Sequence, residues 1–248
     1  MKNLFVDLDG TLARHPDGTP FEVICQPGYA TKLPQNGNMV SALRMINESI
    51  TTHNETCDES ERVEIYILAT VLDQPTAIQD KRTWLSIYCE FIDEEHQLFV
   101  PYGFKKSEFV KELFGDLTQH DFLLDDYYED LAAWAECGGH PIALFNGIDA
   151  KSVNYMTDYT CSWLNPMQIE RDILNIVIDS AADRLADAVK ALIRQNYGDQ
   201  DPDEKRLTLC QESACTGHGS EVYERGYADG YKGALTDFVT QLGFTEPV

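Results

Sequence analysis

The run Phe5-Val6-Asp7-Leu8-Asp9-Gly10-Thr11-Leu12 constrains this chain more than any other stretch. An apolar segment ends in two carboxylates two residues apart, followed by a Gly-Thr turn. Residues two apart in an extended strand share a face, so Asp7 and Asp9 are expected to reach one pocket. Gly10 lets the chain turn away with no side chain in its path. Two like charges about 4 Å apart repel by roughly 1 kcal/mol in water and roughly 4 kcal/mol at an effective dielectric of 20. Such a pocket accepts a phosphate dianion only if positive charge is supplied, and magnesium and a lysine are the usual sources. The plainer alternative is an acidic strand end that holds a cation or only water.

The motif resembles the opening signature of the haloacid dehalogenase (HAD) superfamily, in which the first Asp is the nucleophile and the second a general acid/base. The resemblance implies an α/β, Rossmann-like HAD fold, with a parallel sheet flanked by helices and a small cap insertion. It also implies a magnesium site and further motifs in a set order. The apolar run Ile65 to Leu68 ends in Ala69-Thr70, where the superfamily places a hydroxyl that bonds a phosphoryl oxygen. Thr70 is the candidate, although the first place after the run holds Ala69, and one residue of slip in a strand reverses the face. After the short strand Leu98 to Val100, the segment Pro101 to Lys106 opens a helix running to about Phe114. One of its two lysines is expected to neutralise the nucleophile and the transferring group. Position relative to Gly103 favours Lys106, and Lys105 is kept as a substrate contact together with Thr11. A solvated lysine pair is the alternative.

The strand Phe122 to Leu124 ends in Asp125-Asp126, with Asp130 following as a helix begins. Hard oxygen ligands at this place complete a magnesium site with the Asp7 carboxylate and the Asp9 carbonyl. By the resemblance, Asp126 is the direct ligand and Asp125 and Asp130 support it. An isolated Asp-Asp is otherwise a helix N-terminal charge feature.

The segments Leu124 to Leu131, Trp134, Gly138-Gly139 and Leu144 to Ile148 resemble the bacterial branch of the 5'(3')-deoxyribonucleotidase-like (5'-nucleotidase) family over roughly residues 1 to 150. That resemblance implies hydrolysis of nucleoside or deoxynucleoside monophosphates, although Gly138-Gly139 also has a structural explanation as a helix stop. Sugar phosphates and other small phosphate esters are the alternative substrates. A HAD-fold protein that binds or regulates with little turnover is an alternative of another class.

Charge narrows the partners. With 19 basic and 42 acidic side chains the net charge is −23, which argues against nucleic-acid polymers, whose binding needs many phosphate-neutralising Lys and Arg. No apolar run approaches the ~20 residues that span a bilayer, so no membrane partner and a cytoplasmic location are expected. The seven cysteines are an odd, scattered set that suits reduced thiols. Cys210, Cys215 and His218 make at most a partial metal set.

Strands near 3–8, 64–69, 97–100, 121–125 and 140–145 alternate with helical patterns, as in a parallel sheet covered on both faces. Met39, Val40, Leu43, Ile46 and Ile50 mark one helix. Residues 1–150 are expected to form the catalytic core, with the small cap at about 13–35. Phe21 and Tyr29 of that cap are candidates to stack on a base, or to be buried beneath a loop. Residues 151–197 read as a helical extension on the core, 198–219 as a linker and 220–248 as a C-terminal helix. In that last helix Gly226 and Gly230 at helical spacing suggest close packing, either with the 166–196 helix or across a homodimer.

Overall fold

The five apolar runs of the sequence lie side by side in one parallel sheet, and a sixth strand joins them. In the computed structural model, which describes residues 1–16, 18–146 and 158–178, the strands are β1 (Lys2–Val6), β2 (Val63–Val71), β3 (Gln97–Pro101), β4 (Asp121–Asp125), β5 (His140–Phe145) and β6 (Tyr159–Cys161). Their order is β3-β2-β1-β4-β5-β6, and every pairing is parallel. Strand order reverses at β1, so its C-terminal end opens onto the crevice where α/β sheets of this kind bind ligands.

Parallel sheets need cover on both faces. The helices are α1 (Phe21–Ile24), α2 (Gly37–Thr56), α3 (Ala77–Tyr88), α4 (Lys106–Phe114), α5 (Tyr128–Glu136) and α6 (Pro166–Val177). Alternation along β1 sends Leu4 and Val6 to one face, where α2 (Met39, Leu43, Ile46), α3 (Trp84, Leu85) and α6 (Ile169, Ile173) pack. Phe5 points to the other face, against Val110 of α4 and Leu131 and Trp134 of α5. Phe5 meets the Trp134 ring edge-on at 5.2 Å and stacks on Tyr66 at 5.2 Å. Each such side chain contributes about 1.5–3 kcal/mol through burial.

The Gly138-Gly139 pair has a packing explanation. Gly138 ends the α5 segment at φ +93°, and a β-carbon on Gly139 would collide with the Trp134 indole, whose Nε1 donates to Asp121 O at 2.8 Å. Asn54 lies in the last turn of α2. Its amide donates to Val63 O and accepts from Val63 N, at 2.8 and 2.9 Å, so it holds the start of β2.

Within 151–197, read from the sequence as helical, β6 comes before α6. Three residues are too short a run to show alternation. α6 begins at Asn165-Pro166, with Asn165 and Gln168 forming a reciprocal capping box. The helical stripe beyond residue 178, the 198–219 segment, the 220–248 helix with its dimer contact, and Cys210, Cys215 and His218 lie outside the described residues. The five described cysteines are all free thiols. No described helix is long and apolar enough to cross a membrane.

Candidate active site

Sheet register assembles the site. β1 and β4 pair with Phe5 opposite Leu123, and Asp7 N donates to Leu124 O at 2.9 Å, so the extended path continues past Val6. Two residues beyond the buried pair Phe5 and Leu123 come Asp7 and Asp125, which therefore emerge side by side on the α4–α5 face. They are 4% and 1% exposed.

Lys106, the first residue of α4, reaches between them. Its Nζ lies 2.5 Å from Asp7 Oδ1, 2.6 Å from Asp125 Oδ2 and 3.6 Å from Asp130 Oδ2. Burial alone would lower the lysine pKa, but Asp125, Asp7 and Asp130 outweigh it and hold the ammonium charged far above the ordinary range. Lys105 is the exposed N-cap of the same helix, so the two lysines are separated by one step of the backbone.

Asp126 follows the strand and turns back over the β1 loop. Asn146 Nδ2, at the end of β5, donates to Asp126 Oδ2 at 2.7 Å and to Gly10 O at 3.0 Å, and Thr11 Oγ1 lies 3.4 Å from Asp126 Oδ1. Gly10 has φ +93°, and a β-carbon there would collide with the Asp126 carboxylate, so this turn needs glycine twice over. Thr11 is fully buried and its carbonyl accepts from Asn36. Asn146 lies in the Leu144 to Ile148 segment of the family resemblance, and its position directly after a long strand is the signal for it in the sequence.

The donor set suits a hard cation. Asp7, Asp125 and Asp126 offer oxygens within 4.8 Å of one another. Asp7 Oδ2 is buried with no hydrogen-bond partner, a costly state for a carboxylate oxygen unless a ligand completes it. Desolvation, opposed by Lys106 and reinforced by Asp125 and Asp9, pushes Asp7 up to about 7. Burial likewise raises Asp125 and Asp126 to about 6.

Asp9 is held differently. Lys81 of α3 pairs with its Oδ2, and His15 Nε2 lies 3.4 Å from its Oδ1. Burial works against its ionisation, but the Lys81 ammonium and the His15 hydrogen bond prevail and hold Asp9 well below the usual carboxylate range. Neither Lys81 nor His15 stood out in the sequence, because α3 carries a Lys-Arg pair that reads as a solvated helix face.

Thr70 stands two residues past Leu68, hence on the same face as Asp7, whereas Ala69 is buried in the opposite core. Among the described residues nothing hydrogen-bonds the Thr70 hydroxyl. The 13–35 segment is tied to α3: Asp80 accepts from Gly28 N at 2.7 Å, and Trp84 Nε1 donates to Leu33 O at 2.8 Å. Within it Tyr29 stacks on His15 and bonds its ring nitrogen, leaving it half-buried against the core. Phe21 is exposed and lies 6.4 Å from the exposed ring of Tyr102 in the β3–α4 loop.

No protein-family model matches the sequence, and no curated protein matches it. Among solved structures, the D,D-heptose 1,7-bisphosphate phosphatase from Burkholderia thailandensis is 11% identical, with TM-score 0.47, over 70% of this chain and 99% of that one. The D,D-heptose 1,7-bisphosphate phosphatase from B. bronchiseptica, complexed with magnesium and phosphate, is 12% identical, with TM-score 0.49, over 71% and 99%. A HAD hydrolase, family IA, variant 3, from Entamoeba histolytica is 11% identical, with TM-score 0.46, over 71% and 99%. The chemistry of this site is read from its own side chains.

Proposed function

We propose that this chain is a HAD-type, magnesium-dependent phosphomonoester hydrolase that acts through an aspartyl-phosphate on nucleoside or deoxynucleoside monophosphates. The observation that carries the reading is the state of Asp7: one oxygen is held by Lys106, and the other is buried, unpartnered and beside two more carboxylates. Asp7, Asp126 and the Asp9 carbonyl would hold magnesium, supported by Asp125 and Asp130. The ion would supply charge neutralisation for the phosphate.

Asp7 attacks phosphorus as the ester P–O bond breaks, and Asp9 delivers a proton to the leaving oxygen. Asp9 is a carboxylate in the free site; as a phosphate dianion binds beside it, like-charge repulsion raises its proton affinity and it takes up from solvent the proton it then delivers. In the second half Asp9 takes a proton from water, which attacks phosphorus and releases Asp7. Thr70 donates to a phosphoryl oxygen. The exposed Phe21–Tyr102 pair supports a leaving group that carries a flat ring, such as a nucleoside, and the cytoplasm, with its reduced thiols, is the compartment we assign.

The test is phosphate release from nucleoside, deoxynucleoside and sugar phosphates, with magnesium or a chelator, for the wild type and Asp7→Asn. Magnesium-dependent turnover of nucleotides that is lost in the variant supports the proposal. Turnover confined to sugar phosphates replaces the substrate class, and binding without turnover of any ester overturns the enzymatic reading.

A further inference from the structure

We propose that Asn146 is a positioning residue that sets the cation preference of this site: by fixing the Asp126 carboxylate it favours magnesium over calcium, an inference that rests on the magnesium-dependent phosphatase reading above. Asp7, Asp125 and Asp126 offer oxygens within 4.8 Å of one another, but they are held in different ways. Lys106 holds Asp7 and Asp125 at 2.5 and 2.6 Å, and Tyr127 N donates to the other oxygen of Asp125 at 2.9 Å. Asp126 lies past the end of β4, and its place is set from elsewhere, by Asn146 at the end of β5.

A side-chain amide nitrogen carries two N–H donors. Asn146 Nδ2 gives one to Asp126 Oδ2 at 2.7 Å and the other to Gly10 O at 3.0 Å. Both partners are acceptors, so they fix which way the amide faces. The carboxylate is thereby tied to the backbone of the turn after Asp9, and it lies so close to Gly10 that a β-carbon there would collide with it. β4 separates β5 from β1 in the sheet, and a strap between the two strand ends would need only the bond to Gly10. The shorter of the two bonds goes to Asp126.

Two properties of this contact bear on the ion. An amide is neutral, so it orients the carboxylate and leaves the negative charge for a cation, where a lysine would cancel part of it. A carboxylate held in place also suits one cation over another. Magnesium demands near-octahedral oxygens at about 2.0–2.1 Å, whereas calcium accepts flexible oxygen sets at about 2.3–2.6 Å. Freed from Asn146, Asp126 would still adapt to calcium but would seldom occupy the place that magnesium requires.

Magnesium and calcium binding are measured by calorimetry for the wild type, Asn146→Ala and Asn146→Ser, with thermal unfolding of each in chelator. The wild type is expected to bind magnesium more tightly than calcium. Asn146→Ala should weaken magnesium about 10- to 100-fold, as for other groups that orient a metal ligand, and calcium much less, so that the preference narrows. Asn146→Ser keeps one hydroxyl donor and should fall between, and it carries the comparison if the alanine variant does not unfold cooperatively. A residue that only strapped β5 to the β1 turn would lower the unfolding temperature in chelator and leave the ratio of the two affinities unchanged. An unchanged ratio, or a wild type that binds calcium as tightly as magnesium, would overturn the assignment to Asn146 while leaving the phosphatase reading intact. A folded wild type that binds neither ion would overturn the metal-dependent reading itself, and this inference with it.

Discussion

Lys106 Nζ sits 2.5 Å from one oxygen of Asp7, while the other oxygen of the same carboxylate is buried and without a partner. The two oxygens are thereby assigned unequal tasks by their surroundings. One is fixed in place by an ammonium; the other is left with its lone pairs unengaged. Asp7→Asn keeps the shape and removes the proposed nucleophile. Phosphate release is expected to fall at least ~1000-fold, by analogy with the loss of other catalytic nucleophiles, with the melting temperature little changed. Loss of the cooperative unfolding transition in this variant would count against the assignment.

Lys106→Met leaves Asp7 and Asp125 facing each other without their shared cation. Breaking a buried pair by removing one partner costs about 3–5 kcal/mol. Urea unfolding of the metal-free protein at neutral pH is expected to show a loss of that order, and magnesium to recover part of it.

The metal-free protein should lose stability as pH rises. Asp7, Asp125 and Asp126 are raised by burial to about 7, 6 and 6, so the folded state retains protons that the unfolded chain has released. Their contribution is fully present below the ordinary carboxylate range and is lost as pH climbs through 6 to 7. Asp9, held low, acts in the opposite sense and only on acidification below that range. Melting temperatures in chelator between about pH 5 and about pH 8 should therefore decline, and saturating magnesium should flatten the slope. A melting temperature that rises over that interval would contradict the raised carboxylates.

Asp126→Asn retains the volume and the Asn146 neighbour but removes a charge from the donor set. The magnesium concentration needed for half-maximal turnover should increase on the order of 10- to 100-fold, read from a magnesium titration at fixed substrate. An unchanged titration would remove Asp126 from the metal site.

Gly139→Ala tests the α5–β5 junction far from the chemistry. Its new methyl would press on the Trp134 indole, which is itself fixed by the Asp121 carbonyl. A loss of about 1–3 kcal/mol is expected from overpacking, seen as a lower urea midpoint with the KM for substrate unchanged.

Much of the layout of the candidate site was legible in the chain. Asp7, Lys106, Asp125 and Asp126 each follow an apolar run or open a helix, and strand alternation with parallel register is enough to bring such residues to one edge of a sheet. Spacing from Gly103 favoured Lys106 over Lys105, and the helix start buries Lys106 alone, because the first residue of α4 turns inward while its N-cap stays in water. Tyr29 shows the reverse: an aromatic in an insertion reads equally as a stacking platform or as packing, and here it stacks on His15.

What the sequence by itself determined is the order of the first five strands and the chemical type of each residue at their ends, since local patterning and turn chemistry act over a few neighbouring residues. What only the tertiary structure decided are relationships between distant segments. Lys81 meets Asp9 across 72 positions of chain, Asn146 bridges Asp126 and Gly10, and Phe21 meets Tyr102. None of these pairs shares a periodicity or a motif. They meet because a parallel sheet gathers the C-terminal ends of its strands at one edge, and the helices that cover it deliver side chains from both faces to that edge.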